Sequence, residues 1–194
     1  MTITSRLSLS ALLALGLIRS AAAAVETYRI DPVHSSVAFS IRHFVSKVTG
    51  KFSRFSGTLK VDRDNLANSS VEASIETASI NTDNRKRDDH LQNADFFEVA
   101  KYPAMTFKSR SWVSTGASTF DVTGDLTLKG VTREVVLKVT LLGFGPGMRG
   151  AQLSGWEATA TIDKKQFNMP DPPMLDAALG DEVAITINLE AIKI

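Results

Sequence analysis

The sequence predicts an all-β protein of about eight antiparallel strands, and three observations carry that expectation. Apolar and polar residues alternate with a period of two over most of the chain from Val37 onward. Turn residues interrupt the alternation throughout, and one short charged segment has helical spacing instead. Strands that each have one wet face must close into a barrel or pack as a pair of sheets, and periodicity alone fits both.

The elements follow in chain order. Val37, Phe39 and Ile41 alternate with Ala38, Ser40 and Arg42, so Phe39, Ile41 and His43 share one face of a strand. Gly50, Gly57 and the segment Asp62 to Ser70 mark turns before Val71, Ala73 and Ile75, which alternate with Glu72, Ser74 and Glu76. Asn81-Thr82-Asp83 offers N-cap side chains to a short helix over Asn84 to Asn93, where Arg87, Leu91 and Ala94 recur at helical spacing. A strand near Met105 and Phe107 precedes Gly116 and the long alternation Phe120, Val122, Gly124, Leu126, Leu128. Gly130 turns the chain into Val135, Leu137, Val139 and Leu141, and the loop Gly143 to Gly150 leads to Trp156, Ala158, Ala160 and Ile162. A second short helix is expected around Met174 to Leu179, stopped by Gly180, before the closing strand through Val183, Ile185, Ile187 and Leu189.

The first 24 residues have a different character. A short polar start with Arg6 precedes the nearly continuous apolar run Leu7 to Ile18, and Arg19-Ser20 leads into Ala21 to Ala24. This is the three-part pattern of a secretory signal peptide, and its run of about a dozen apolar residues falls short of a membrane span. Residues 1–24 are therefore expected to be removed and 25–194 to form one exported domain of 170 residues.

Composition excludes several function classes. With 22 Lys+Arg against 21 Asp+Glu there is no basic surplus of the kind that binds nucleic acid. Because Cys is absent, disulfides, thiolate catalysis, Cys-ligated zinc and a lipidated Cys are excluded together.

Few residues suggest reaction chemistry. The three histidines, His34, His43 and His90, lie in no G-x-S-x-G, H-E-x-x-H or D-x-D-x-D-G arrangement, so no catalytic residue, metal ligand or cofactor is expected. The run Asp83-Asn84-Arg85-Lys86-Arg87-Asp88-Asp89-His90 has two readings, a solvated helix face with local ion pairs or an anion site built on the arginine forks. The phenylalanines Phe39, Phe44, Phe52, Phe55, Phe96, Phe97, Phe107 and Phe120, with Met105 and Trp112, form either a core or the lining of an apolar cavity. Phe96 and Phe97 cannot both face one way on a regular strand or helix.

One segment, Ile80 to Phe107, with Asp95-Phe96-Phe97-Glu98-Val99-Ala100-Lys101-Tyr102-Pro103 at its centre, resembles the signature of the YceI-like family. Asp31-Pro32-Val33-His34-Ser35, Gly50-Lys51-Phe52, Gly124-Asp125-Leu126-Thr127-Leu128-Lys129-Gly130 and Leu179-Gly180-Asp181-Glu182-Val183 are similar to other parts of it, in order, over nearly all of Val25 to Ile194. Two departures stand out: Asn168 follows Phe167 where the family often has Gly, and Lys129 precedes Gly130 where many members have His.

The resemblance implies an extended eight-stranded antiparallel barrel of lipocalin-like shape with one or two short helices. It implies export to the periplasm in Gram-negative members and non-catalytic binding of a long isoprenoid, such as a polyprenyl diphosphate or a polyprenyl quinone or its precursor, for transport or storage. The expected tunnel wall comprises Phe39 and Ile41, Phe52 and Phe55, Ala73 and Ile75, Leu91, Phe96 and Phe97, Met105 and Phe107, and Phe120 and Leu126. His43, Arg85 and Arg87 are the expected head-group contacts. Transient membrane contact during ligand exchange and a homodimer are compatible with this reading. Two alternatives remain: an enzyme acting on such a lipid, using His34, His43 or His90 with a carboxylate, and a stress-related exported module.

Overall fold

The computed structural model describes residues 25–173, 175 and 178–194. The expected signal peptide lies outside the described residues. In chain order the elements are β1 (Glu26–Ile30), β2 (Ser36–His43), β3 (Ser46–Phe52), β4 (Phe55–Val61), β5 (Ser70–Glu76), β6 (Ile80–Asn81), α1 (Arg85–Leu91), β7 (Ala104–Ser114), β8 (Thr119–Leu128), β9 (Val131–Pro146), β10 (Gln152–Asp163) and β11 (Leu179–Lys193). Short 3-10 turns lie at Leu66–Asn68, Thr77–Ser79, Met148–Gly150 and Lys164–Phe167.

Every pairing is antiparallel, and the order β1-β4-β5-β7-β8-β9-β10-β11 closes on itself because β1 also pairs with β11. The result is an eight-stranded barrel, and within the ring no strand is left with an open edge. The strands β2, β3 and β6 continue the sheet from β11 beyond the closed ring. Long β11 makes this possible: its end pairs with β1 through Tyr28↔Lys193 and Ile30↔Ala191, while its first two thirds pair with β2 from Leu179↔His43 to Asn188↔Ser36.

The period-two pattern sets the inside. Along β8 burial alternates without exception, placing Phe120, Val122, Gly124, Leu126 and Leu128 inward. A side chain at Gly124 would collide, since a Cβ there would lie 2.4 Å from the Phe107 ring and 2.6 Å from the Lys108 carbonyl. At the β8–β9 turn, Lys129 (φ 48°) and Gly130 (φ 75°) both take the positive φ of a tight two-residue hairpin.

The helix α1 is shorter than its sequence pattern suggests, and its cap is Asn84, whose side chain accepts from the Arg87 amide at 3.1 Å. Thr82, read as a cap candidate, instead donates through both its amide and its hydroxyl to Asp88 Oδ1, at 2.9 and 2.6 Å. Of the second expected helix, Met174, Asp176 and Ala177 lie outside the described residues. Leu175 and Ala178 sit in turns, and Leu179 already belongs to β11.

Between β1 and β2 the chain bends through Asp31 to Ser35. His34 Nδ1 lies 2.8 Å from Asp31 Oδ2 and 3.7 Å from Glu190 Oε1, and Ser35 Oγ accepts from the Glu190 amide at 3.0 Å. The hydrogen bond to the Asp31 carboxylate, followed by its charge, raises the His34 pKa above the ordinary 6.5. The same hydrogen bond, with one from the Val33 amide, lowers that of Asp31 below 3.8. Through His34 the bend is therefore most stabilised below about pH 6.5, and that contribution fades as pH rises through the raised value. Through Asp31 it is present above about pH 3.8 and fades as pH falls through the lowered value.

Two predictions follow from the bend and the barrel wall. The imidazole of His34 titrates with a midpoint above 6.5 in an NMR pH series, and Asp31→Asn moves it down. Replacing Gly124 by Ala overpacks the interior and costs about 1–3 kcal/mol in denaturant unfolding; an unchanged midpoint would show that Phe107 moves aside freely.

Candidate functional site

The barrel interior is filled unequally. At one end Trp112, Phe120, Trp156, Tyr28 and Phe144 form a packed aromatic layer. Trp112 meets Trp156 edge-on at 5.7 Å, Phe144 meets Trp156 edge-on at 6.0 Å, and Trp112 leans on Phe120 at 5.8 Å. Burial, reinforced by a 2.6 Å hydrogen bond to Glu26, pushes the Tyr28 phenol up to about 12, so this layer stays neutral.

Beyond that layer a second packed cluster, with Val37, Phe52, Met105, Leu126 and Phe167 at its centre, leaves part of the interior open. Phe39 and Ile41 on β2, Ala73 and Ile75 on β5, and Val183, Ile185, Ile187 and Leu189 on β11 are only half-buried although they point inward. They border a cavity of about 400 Å³ whose lining is almost wholly apolar. That volume falls within the rough 300–1,000 Å³ range of small-molecule sites.

The cavity wall includes Phe39, Ile41, Phe52, Phe55, Ala73, Ile75, Leu91, Phe96, Phe97, Met105, Phe107 and Leu126 from the expected tunnel set. Phe120 is not on it. That ring is 4% exposed and spent on the aromatic layer beside Trp112, one step too close to the filled end. Phe96 and Phe97 both reach the wall because they lie in a turn, where strand and helix parity do not apply. Phe96 presents its face to the edge of His90 or the reverse at 5.1 Å, and Phe97 sits T-shaped on Phe52 at 5.8 Å.

Polar side chains join the wall where α1, the β2–β3 turn and the segment after β10 come together: His43, Thr82, Arg87, His90 and Lys164. Of the expected head-group residues, His43 and Arg87 are placed here, whereas Arg85 is not. The Arg85 side chain is 94% exposed and lies 3.9 Å from Asp89, because two positions along a helix rotate a side chain to nearly the opposite face.

Arg87 is held without being neutralised. Its Nε donates to Thr82 Oγ1 and its Nη2 to the Thr82 carbonyl, both at 2.7 Å, and Thr82 in turn donates to Asp88. Among the described residues no carboxylate pairs with the Arg87 guanidinium. Lys164 is different: it is 3% exposed, and its Nζ lies 2.9 Å from Asp171 Oδ2 and 3.4 Å from Asp181 Oδ1. Asp171 keeps its other oxygen, Oδ1, buried with no hydrogen-bond partner. The inward parity of Trp156, Ala158, Ala160 and Ile162 continues to Lys164, a signal that was present in the sequence.

Two other polar residues serve the rim. Lys129 is 9% exposed and its Nζ donates to the Ala94 carbonyl at 2.7 Å, tying the β8–β9 turn to the segment that carries Phe96 and Phe97. Asn168 ends the Lys164–Phe167 turn in the left-handed region at φ 57°, which Asn tolerates better than most residues.

The histidines do not converge. His34 is off the cavity wall at the β1–β2 bend, His43 lies edge-on to Phe44 at 4.9 Å, and His90 Nε2 lies 3.0 Å from Asp95 Oδ2. Asp31, His34 and Glu190 bring three potential ligand atoms within 4.8 Å, but at that bend, away from the cavity.

Comparison with known proteins agrees with the fold and extends over most of the chain. A YceI-like domain model matches residues 28–191. Protein YceI of Escherichia coli O157:H7 is 40% identical over 169 residues, which is 86% of each chain. In structure, Burkholderia cenocepacia BcnA superposes with a TM-score of 0.76 at 26% identity, covering 83% of this chain and 98% of that one. A polyisoprenoid binding domain from Saccharophagus degradans has the same fold, with a TM-score of 0.65 at 14% identity, covering 88% of this chain and 99% of that one. The family match, the level of identity and the shared barrel together mean that this chain belongs to the YceI-like family.

Proposed function

We propose that this protein is an exported, non-catalytic binding protein that holds a long isoprenoid lipid, a polyprenyl diphosphate or a polyprenyl quinone or its precursor, for transport or storage. The observation that carries this reading is the apolar cavity, blind at its aromatic end and lined by an uncancelled guanidinium and two imidazoles at the other. The polyisoprenoid binding named for the Saccharophagus degradans domain supports the same ligand class.

The energetics are adequate without any reaction. Burying a five-carbon prenyl unit yields roughly 4 kcal/mol gross at about 0.8 kcal/mol per carbon group. Two or three units therefore reach micromolar affinity after the costs of association and ordering. Chain-length preference arises where the aromatic layer stops the bore. An enzyme reading is disfavoured because the histidines do not converge: His43 and His90 reach the cavity wall separately, His90 is engaged by the exposed Asp95 at 3.0 Å, and His34 lies elsewhere.

Three measurements test the proposal. Organic extraction of protein purified from its host, followed by mass spectrometry, is expected to release an isoprenoid; lipid-free protein that also fails to bind polyprenyl diphosphates or quinones would overturn it. Intact-mass analysis of the exported protein is expected to show loss of about 24 N-terminal residues. Filling the bore with Ala73→Trp is expected to lower isoprenoid affinity at least tenfold while circular dichroism stays unchanged.

The head group is tested by a pair of variants. Arg87→Gln weakens polyprenyl diphosphate binding by about ten- to a hundredfold, as expected for a lost charge-assisted hydrogen bond. Arg85→Gln leaves it unchanged. Equal effects of the two would remove Arg87 from the site.

A further inference from the structure

The β2–β3 turn protrudes beside the polar end of the cavity and carries two large apolar side chains into solvent. Val45 is fully exposed and Phe44 is 58% exposed. Phe44 also adopts φ 48°, a left-handed conformation that is unfavourable for a bulky side chain and that Gly or Asn would relieve. The turn is nevertheless firmly built. The Phe44 amide donates to the Ala178 carbonyl at 2.7 Å, and Arg42 reaches the Phe44 and Leu179 carbonyls at 3.2 Å each. Ser46 Oγ donates to the His43 carbonyl, also at 3.2 Å.

Charge on this part of the chain is one-sided. Between Asp31 and Asp62 there is no acidic residue, whereas Arg42, Lys47, Lys51, Arg54 and Lys60 all fall there. Arg54 is engaged by Glu76, but Lys47 and Lys51 are exposed and have no carboxylate partner among the described residues. The adjoining end of β11 brings Asp181, which Lys164 and Lys165 already hold, and Glu182.

We propose that the β2–β3 turn is a membrane-docking tip. Phe44 and Val45 enter the interface of an anionic lipid bilayer, while the cross-strand pair Arg42 and Lys47 faces its head groups. The occupant follows from shape and charge. Two protruding apolar side chains cannot approach the roughly 1,000 Å² that a specific protein interface requires, but a bilayer surface accepts a small wedge flanked by cations. Negative surface potential supplies the complement to a segment devoid of carboxylates. His43 precedes the tip and both His43 and Val48 lie on the cavity wall, so docking holds the polar end of the cavity against the bilayer. Resting on the isoprenoid reading above, this contact is the route by which a lipid leaves one membrane for the bore.

The test is sedimentation of the protein purified from its host with vesicles of phosphatidylglycerol and phosphatidylethanolamine, beside vesicles of phosphatidylcholine alone. Binding is expected to favour the anionic vesicles and to weaken in high salt. Phe44→Ser with Val45→Ser lowers it at least tenfold, and Lys47→Gln lowers it about fivefold. Phe44→Gly serves as the folding control: it loses vesicle binding while its thermal midpoint does not fall. Equal binding to both vesicle types, or tip variants that bind like the unaltered protein, would overturn the docking proposal. Loading of a polyprenyl lipid from detergent solution separates the two readings. Tip variants that load normally but fail on vesicles support docking, and tip variants that bind vesicles normally refute it whatever their loading.

Discussion

Closure of the sheet on β11 is the constraint on which the rest of the molecule depends. That strand is 15 residues long and lies between β10 on one side and two successive partners on the other. Its last residues take β1 and so seal the ring, and its first two thirds take β2. The chain can switch from one segment to the next only by bending, which it does at Asp31 to Ser35. There a Pro, an Asp–His pair and the reciprocal hydrogen bonds of Ser35 with Glu190 satisfy the backbone that leaves the ladder. Without the bend, β1 and β2 would form one straight strand, and β11 could not pass from one partner to the next.

Given that ring, the distribution of large side chains determines what the interior is. A barrel of eight strands has room for its own side chains or for one small ligand, and this sequence fills one end and leaves a cavity toward the other. Aromatic rings fill one end, where two Trp, Phe120, Phe144 and Tyr28 interlock. Toward the other end, half-buried residues on β2, β5 and β11 leave the interior open, and the segments after β6 and β10 supply the remaining wall. Lys129 holds the first of these through the Ala94 carbonyl, and Lys164 organises the second through Asp171 and Asp181.

Much of this was legible because a strand encodes its two faces directly. The inward residues of β8 and the wall positions on β2, β5 and β7 read straight from the alternation. What could not be read depended on position along the axis or on rotation about it. Phe120 has the same parity as Leu126, yet six residues along the strand carry it from the bore into the packed layer. Arg85 and Arg87 look alike in sequence, but α1 is only seven residues long and its rotation sends one into water and the other to the wall. Lys164 was hidden for the opposite reason: its inward parity continues β10, but a lysine on an apolar face is read as surface until Asp171 and Asp181 are seen to hold it. Barrel and sandwich share a strand pattern, so only the pairing of residues far apart in the chain separates them.

The two cations on the cavity wall are not equivalent, and the difference argues for how a head group is received. Lys164 faces two carboxylates, one of them buried with an oxygen to spare, so its charge is already answered within the protein. Arg87 is fixed by Thr82, a neutral residue that passes the polarity on to Asp88, and its charge is therefore oriented but not cancelled. In a low-dielectric setting that arrangement favours an anionic partner at Arg87, because the positioning cost has been met without the neutralisation that would remove the attraction. An uncharged head group would gain less from Arg87 than an anionic one. On the isoprenoid proposal, selectivity between a diphosphate and a quinone would rest on this one guanidinium, and affinity for either on the apolar wall.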